Sequence, residues 1–343
     1  MPWGLTRRSW LQVTGLGSLA GSVFSGARLS GQAVPRTSDR PHHAGHVMGT
    51  VGRVPATAFD PTRFIRSWNF SDLPPDDRAR FYREMPRPDG SLLREYEIYA
   101  VDREIEIAPG MFFPAWTFNG QVPGPTIRAT EGDRVRIRFR NLGSHPHTLH
   151  FHGWHPPAMD GSLPDQQVEP GQTFVYEFDA DPFGLHLYHC HAVPLKRHIH
   201  KGLYGAFIID PREPRPPATE LVMVMNGFDT DADGGNNFYT VNGRSFYYAR
   251  YPIRVRRSEL VRVYLANLTE FDLINSFHLH ADFFRYQPTG TGDHWEYTDT
   301  VMQCQGQRGV LEIQFAGTGL HMFHAHQSEF AELGWMGFFD VVD

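Results

Sequence analysis

Histidines separated by one residue recur along this sequence, and they are its first sign of chemistry. Six His-x-His pairs occur, at 145/147, 150/152, 189/191, 198/200, 278/280 and 324/326. With 19 histidines in 343 residues, random placement gives about one such pair. In a strand, residues i and i+2 point to the same face, so each pair can offer two imidazoles to one site. The pattern predicts a metal site built on imidazole nitrogen.

Four of these pairs take equivalent places in an internal repeat. Residues 137–142 match 263–268, residues 184–191 match 319–326, and residues 205–210 match 337–342. The repeat aligns pair 150/152 with pair 278/280, and pair 189/191 with pair 324/326. Eight imidazoles at matched positions predict one metal cluster to which two similar domains contribute equally.

A cysteine lies inside one of the pairs. Cys190 stands between His189 and His191, so strand alternation sends its thiolate to the opposite face. Its expected companions there are His147 and His198. One thiolate with two imidazoles makes the trigonal site of blue copper. The peptide on either side of Cys190 then links this copper to the cluster.

The elements that position these residues are short strands. From about residue 94 the chain alternates apolar and polar residues, with turn residues about every 10 positions, which is typical of an antiparallel sandwich. A stiff Pro-rich linker at 211–217 separates the two copies. The sequence therefore predicts an all-β protein with two tandem β-sandwiches. The predicted divisions are an export signal at 1–33, a polar N-terminal extension at 34–93, domain 1 at 94–212 and domain 2 at 213–343.

Composition and the N-terminus narrow the class of protein. A net charge of -6 argues against a nucleic-acid binder. Paired Arg7 and Arg8, followed by a modest apolar stretch, predict a twin-arginine signal and a periplasmic or extracellular location; the alternative is a disordered basic tail. No later stretch is apolar enough to span a membrane. A histidine cluster at 42–46 is either a copper-binding segment or a solvated tail.

Together these features resemble a two-domain multicopper oxidase of the laccase-like kind, over roughly residues 94–343. The matching motifs are 118–127, 147–153 and 189–191 with His198. The resemblance implies two cupredoxin-like Greek-key β-sandwich domains and four coppers per chain. It also implies oxidation of a reducing substrate at type 1 copper, reduction of O₂ to water at a three-copper cluster, and a homotrimer with that cluster at subunit interfaces.

The resemblance also implies a role for each ligand. Type 1 copper would be held by His147, Cys190 and His198, and type 2 copper by His150 and His278. The type 3 pair would be held by His152, His189, His191, His280, His324 and His326. Asn275 and Ala325 replace the type 1 ligands in domain 2, so type 1 copper is expected in domain 1 only. Leu203 aligns where many blue sites carry an axial Met, and loss of that weak ligand generally raises the copper potential.

Two carboxylates near the ligands have two interpretations each. Asp160 and Glu329 are either proton relays to the cluster or ordinary turn residues. The remaining histidines, among them His155 and His200, are expected to support the site or the core. Cys304 is expected to be a buried free thiol.

Two other functions compete with the oxidase. A copper-containing nitrite reductase also has a blue site in a first cupredoxin domain, but it needs only three histidines for its catalytic copper and carries one histidine beside the cysteine. A non-enzymatic electron carrier or copper buffer needs no cluster ligands. His191 and the pairs 278/280 and 324/326 have no purpose in either alternative. The reducing substrate is not readable from the sequence, which allows phenols, aromatic amines, cuprous ion, manganous ion and an inorganic nitrogen compound.

Overall fold

The computed structural model describes residues 59–66, 70 and 75–343. The predicted export signal at 1–33 and the histidines at positions 42, 43 and 46 lie outside these residues. None of the helices that it describes is long and apolar enough to cross a membrane.

Domain 1 is built from nine strands in two sheets. They are β1 Tyr82–Pro86, β2 Leu92–Ala108, β3 Met111–Phe118, β4 Ile127–Thr130, β5 Arg134–Asn141, β6 His150–Phe151, β7 Thr173–Asp179, β8 Gly184–His189 and β9 Tyr204–Asp210. One sheet has the order β1-β2-β5-β7, with β3 paired to β2, and the other has the order β4-β9-β8-β6. Side chains in β5 alternate between buried and more exposed, as expected for a strand with one face on a core.

Domain 2 contributes eleven strands. They are β10 Thr219–Phe228, β11 Phe238–Val241, β12 Ile253–Arg256, β13 Val261–Asn267, β14 Ile274–Leu279, β15 Phe284–Pro288, β16 Glu296–Thr298, β17 Thr300–Cys304, β18 Arg308–Ile313, β19 Gly319–His324 and β20 Met336–Val342. The two sheets have the orders β11-β10-β13-β18-β15-β16 and β12-β20-β19-β14-β17.

The described chain has five short α-helices, two before β1 and three between strands. They are α1 Pro61–Phe64, α2 Pro75–Phe81, α3 Leu195–His200, α4 Tyr247–Arg250 and α5 Ser328–Glu332. Both α3 and α5 follow the second histidine of a repeated pair, at equivalent places in the two domains. Helices α3 and α5 therefore follow closely on the segments that carry these histidines.

The predicted all-β fold and internal repeat are confirmed by the strand pairing. β5 pairs parallel to β2 and antiparallel to β7, and β13 pairs in the same way with β10 and β18. In the second sheets, β9 lies between β4 and β8 as β20 lies between β12 and β19. Strands that match in sequence thus occupy matching places in two sandwiches.

A continuous apolar core joins the two domains. Domain 1 contributes residues of β8 and β9, such as Leu187 and Ile208, and domain 2 contributes residues of β10 and β13, such as Val224 and Tyr264. Ile199 of α3 belongs to the same core. Because this core is apolar and closely packed, α3 is fixed against both domains.

The end of the predicted polar extension packs on the body of the protein. Phe64 and Ile65, at the end of α1, are buried in the apolar cores. The amide of Val222 donates to the carbonyl of Ile65 at 2.7 Å. β1 pairs antiparallel to β2 and adds a strand to domain 1. The apolar residues of this segment are too few and too scattered for periodicity to reveal them.

The expectation of a buried Cys304 is wrong. Cys304 is a free and exposed thiol. It lies at the end of β17, an edge strand. The preceding residue, Gln303, is fully buried, and because side chains alternate along a strand, Cys304 points away from the core.

An ion-pair network crosses the domain junction and generates a stability prediction. Arg128 of β4 contacts Asp210 of domain 1 at 2.7 Å and Glu220 of domain 2 at 2.7 Å. Arg128→Met leaves both carboxylates without this partner, so we expect the free energy of unfolding to fall by about 2–3 kcal/mol. Urea unfolding followed by circular dichroism measures this change.

The matched control is Arg254→Met, which removes an exposed arginine 3.7 Å from Asp340. Its loss should change the unfolding free energy by less than about 0.5 kcal/mol. Equal losses in the two variants would show that the Arg128 network does not hold the domains together.

Candidate metal centres

His147, Cys190 and His198 form a compact group that we call the buried triad. Their potential ligand atoms lie within 4.8 Å of one another, and all three residues are buried. Cys190 Sγ is 3.2 Å from His198 Nδ1 and 3.8 Å from His147 Nδ1. The two Nδ1 atoms face each other at 3.2 Å. The structure therefore brings together the three residues that the sequence places in one site.

The protonation states of the buried triad favour a metal ion. Burial lowers the pKa of His147 to about 3 and that of His198 to about 4, so both imidazoles are neutral near pH 7. Burial also raises the pKa of the Cys190 thiol to about 11. A cation that binds between two neutral imidazoles displaces the thiol proton and supplies the charge that stabilises the thiolate.

Three different elements position the buried triad. Cys190 directly follows β8, and its amide donates to the carbonyl of Leu203 at 2.9 Å, just before β9 begins. His198 lies on α3. His147 lies in the loop before β6, where it forms an isolated bridge with Val168. Leu203 is therefore next to Cys190 across this hydrogen bond, and its side chain is fully buried.

Four more histidines of domain 1 form what we call the domain 1 half-site: His150, His152, His189 and His191. Nitrogens of the first three lie within 4.8 Å of one another, and His152 Nε2 is 3.2 Å from His189 Nε2. The ring of His191 lies beside this group, with its centroid 5.2 Å from that of His150.

The domain 2 half-site repeats the arrangement with His278, His280, His324 and His326. Nitrogens of the first three lie within 4.8 Å of one another, and His280 Nε2 is 2.9 Å from His324 Nε2. The ring centroid of His326 is 5.3 Å from that of His278. Residue His278 pairs with His324 across β14 and β19, as His150 pairs with His189 across β6 and β8. Strand register therefore sets the same geometry twice.

Backbone carbonyls fix the tautomer of four half-site histidines. The Nδ1 hydrogens of these rings are donated to the carbonyls of nearby residues, with distances of 2.9 Å for His150 to Asp160, 3.0 Å for His189 to Cys190, 3.0 Å for His278 to Asp299 and 2.6 Å for His324 to Ala325. A neutral imidazole that donates from Nδ1 keeps a free lone pair on Nε2. All four Nε2 atoms are therefore available to ligate.

Sequence reasoning missed two residues around the half-sites. Asp299, whose carbonyl holds His278, corresponds in function to Asp160, but it lies much further along the chain from its histidine pair. Arg308 of domain 2 places Nη1 3.3 Å from Nδ1 of His152 and donates from Nε to the carbonyl of Leu185. Neither contact has a local sequence signal, because each joins residues that are distant in the chain.

The two predicted proton relays differ in position. Asp160 Oδ1 is 3.2 Å from His150 Nδ1 and 3.6 Å from His155 Nε2. Although burial opposes it, a hydrogen bond from Ser162 and the charge of His150 lower the pKa of Asp160, which favours the carboxylate. Glu329 is exposed on α5, and in the described chain no hydrogen bond or ion pair joins its side chain to a half-site histidine.

Within one chain the half-sites are separate. Among the described residues, each group of potential ligand atoms draws on one domain only. Arg308 covers the Nδ1 side of His152, whereas the Nε2 side faces His189. His280 is exposed. Within the described chain, therefore, neither half-site is completed by histidines of the other.

Comparison with known proteins gives the family. Two multicopper oxidase family models match, one over residues 102–214 and one over residues 214–343. This chain belongs to the multicopper oxidase family. The chain is similar to a multicopper oxidase of known crystal structure, with 54% sequence identity and a TM-score of 0.78. The match covers 83% of this chain and 98% of that one.

Other relatives of this multicopper oxidase chain are more distant. A copper-containing nitrite reductase from Neisseria gonorrhoeae is 29% identical over 204 residues, which cover 54% of this chain and 51% of that protein. Laccase 1 from Metarhizium acridum is 42% identical over 102 residues, which cover 28% of this chain and 16% of that protein. The chain thus spans about half the length of the nitrite reductases it matches.

The donor sets fit the copper that the family implies. The buried triad combines one sulfur and two imidazole nitrogens, a set that selects copper in blue sites. His147 Nε2 and His191 Nδ1 are buried without a hydrogen-bond partner in the described structure. The half-sites present only imidazole nitrogen, a ligand suited to copper, and burial keeps His152 and His189 neutral, with pKa values of about 2 and about 4.

Domain 2 of this multicopper oxidase has no counterpart of the buried triad, as predicted from Asn275 and Ala325. The amide of Ala325 donates to the carbonyl of Trp335 at 3.2 Å, in the place where Cys190 bonds Leu203. Trp335 is fully buried and fills this space. Leu203 and Trp335 therefore occupy equivalent places in the two domains.

The buried triad generates a spectroscopic prediction. We expect Cys190→Ser to lose the intense visible absorption of the copper-loaded protein completely, because the thiolate supplies that transition. The melting temperature of the metal-free protein should change by only a few degrees, since serine is similar in size to cysteine.

Cys304→Ser is the matched control, because Cys304 is the other free cysteine and is exposed. It should keep the full visible band. A band that persists in Cys190→Ser would refute the assignment of the buried triad.

Proposed function

We propose that this protein is a laccase-like multicopper oxidase. It would couple one-electron oxidation of a reducing substrate near the buried triad to four-electron reduction of O₂ to water at the half-sites. The observation that carries this proposal is the duplicated half-site, four histidines in each domain, beside one His₂Cys triad. Copper, when bound, accepts and passes on single electrons; the residues described below hold it and separate the two reactions.

The proposed ligand roles follow the geometry. His147, Cys190 and His198 would hold type 1 copper, since a sulfur and two nitrogens converge there. His150 and His278 would hold type 2 copper, because each occupies the same register position in its domain and is fixed by an aspartate carbonyl. The type 3 ligands would be His152, His189, His191, His280, His324 and His326.

Covalent structure connects the two reaction sites. The Cys190 side chain belongs to the buried triad, whereas those of its neighbours His189 and His191 lie at the domain 1 half-site. One peptide unit on each side joins the thiolate to an imidazole. This path is short and rigid, because β8 is buried along its whole length.

Asp160 is positioned to handle protons. Its carboxylate lies between His150 and His155, at the edge of the domain 1 half-site, and is partly exposed. We assign it the transfer of protons from solvent to the site of oxygen reduction. Glu329 would serve a similar role from α5, three residues beyond His326, once a neighbouring subunit closes the domain 2 half-site.

The separation of the half-sites supports a homotrimer. Eight ligands around one cluster require a domain 1 to face a domain 2, and a head-to-tail ring of three chains provides three such junctions. Large apolar side chains lie exposed beside each half-site. Trp154 and Val193 follow the domain 1 pairs, and Met302 and Leu320 lie on strands of the domain 2 sheet. Burial of these side chains would stabilise the junction.

Export by the twin-arginine route is part of the same proposal. Arg7 and Arg8 precede a modest apolar stretch, and this route carries folded proteins. The reaction would then take place in the periplasm or outside the cell.

The first test of function is metal content with oxygen uptake. We expect about four coppers per chain by elemental analysis, and oxygen consumption with reducing substrates such as phenols. His294→Ala, which removes a surface histidine that is 77% exposed, is the control and should change neither value. About two coppers per chain, with nitrite turnover and no oxygen uptake, would instead indicate a nitrite reductase.

The second test concerns assembly. Light scattering of the copper-loaded protein should give about three times the mass of the mature chain, because the ligands lie at the junctions between chains. Removal of copper should weaken the trimer, since metal binding stabilises the assembled state. A fully active, fully metallated monomer would show that the ring model is wrong.

A further inference from the structure

The chain contains only two lysines among its 343 residues, and both lie beside the buried triad. Lys196 and Lys201 stand on α3 and directly after it, on either side of His198. Arg197 lies between them. We call these three residues the α3 basic cluster. The other 30 basic residues of the chain are arginines, and its net charge is -6. A cluster that holds both lysines and an arginine is therefore unusual in this chain.

The α3 basic cluster is not paired with acids. Each cation lies over an aromatic ring: Lys196 Nζ is 4.0 Å from the centre of Phe271, Arg197 is 5.2 Å from Trp116 and Lys201 Nζ is 4.6 Å from Phe113. Within the described residues, none of the three charged groups forms an ion pair, and Lys201 Nζ donates to the carbonyl of Pro114 at 3.0 Å. Their positive charge is therefore not neutralised by a direct partner.

Two acids interact with the lysines through charge, Asp229 with Lys201 and Glu270 with Lys196. Asp229 is buried and accepts from the amides of Ala232 at 2.6 Å and Gly234 at 2.9 Å. Glu270 is only 8% exposed. Both carboxylates are buried, and the exposed acids Asp231 and Asp233 lie within 4.8 Å of Asp229.

Trp116 lies between this surface and the buried triad. Its ring centroid is 4.8 Å from that of His198 and 5.5 Å from that of His147. The guanidinium of Arg197 lies over the same ring at 5.2 Å, and the ring centroid of His145 is 4.4 Å from that of Trp116. A donor that contacts Arg197 or His145 is thus separated from both histidine ligands by one aromatic ring.

We propose that the α3 basic cluster and Trp116 form the docking site for an anionic electron donor. The donor is a compact anion, because three cations within six consecutive residues span only about 9 Å. The donor would lose one electron by way of Trp116 to copper held by the buried triad, and would leave one unit less negative, with no bond made or broken. This inference rests on the proposed oxidase function.

Hexacyanoferrate(II) is the kinetic probe, and its one-electron oxidation yields hexacyanoferrate(III). Stopped-flow reduction of the visible band should be fast at low ionic strength and should slow as salt is added. Replacement of all three cations by glutamine should slow it at least about tenfold. Hexaammineruthenium(II), a cation, should show the opposite salt dependence and should be accelerated in the triple variant. Arg254→Gln, the control on β12, should affect neither donor.

The rarity of lysine allows a chemical test on the unmutated protein. Acetylation neutralises lysines, whereas reductive methylation keeps their charge. Apart from the N-terminal amine, only Lys196 and Lys201 can react as amines. Acetylation should slow hexacyanoferrate oxidation several-fold, and methylation should leave its rate unchanged. Equal effects of the two reagents would overturn a role for charge.

A binding measurement separates this inference from the oxidase function. Hexacyanocobaltate(III) is an inert trianion, so calorimetry on the copper-loaded full chain reports docking without turnover. We expect binding that is lost in the triple glutamine variant and kept in Arg254→Gln. Failure to bind, with oxygen uptake intact, would refute the docking site alone. Binding without oxygen uptake would refute the oxidase function and leave the docking site standing.

Trp116→Leu tests whether electrons reach the buried triad by way of Trp116. The visible band should persist, and calorimetric binding should be kept, because the cations remain. Reduction by hexacyanoferrate should fall about tenfold or more. An unchanged reduction rate would show that electrons enter by another route.

Discussion

The structure depends on one constraint, the placement of Cys190 between two histidines at the end of a buried strand. The hydrogen bonds of β8 and the bond from the Cys190 amide to Leu203 leave this segment no freedom to rotate. Alternation then directs the thiolate to one side and the two imidazoles to the other. A shift of one residue would exchange the faces and destroy both sites. The apolar core that the two domains share includes Leu185 and Leu187 of β8, and its packing helps to hold this register.

The duplicated fold explains why one domain carries the triad and both carry half-sites. The histidines of the half-sites depend on strand register, which the repeat preserves in β14 and β19. The triad depends on individual side chains, and domain 2 carries Asn275 and Ala325 where domain 1 carries His147 and Cys190.

Much of this arrangement is predictable from sequence, because it depends on local periodicity. The repeated pairs at 150/152 and 278/280, and the place of Cys190, follow from alternation and from the internal match. What sequence does not show depends on tertiary contact: Arg308 behind His152, the Asp299 carbonyl on His278 and the burial of Phe64. Because cysteine is usually buried, its residue type alone predicts a core position for Cys304, whereas its exposure follows from the edge position of β17.

The central claim is that each cluster is completed by two chains, and subunit complementation tests it most directly. His152→Ala disables the domain 1 half-site, and His280→Ala disables the domain 2 half-site; each variant alone should be inactive. In equal co-expression, every mixed ring of three has one junction with both halves intact, so oxygen uptake should return to about one quarter of the wild-type value. A mixture with no more activity than either variant alone would contradict the account.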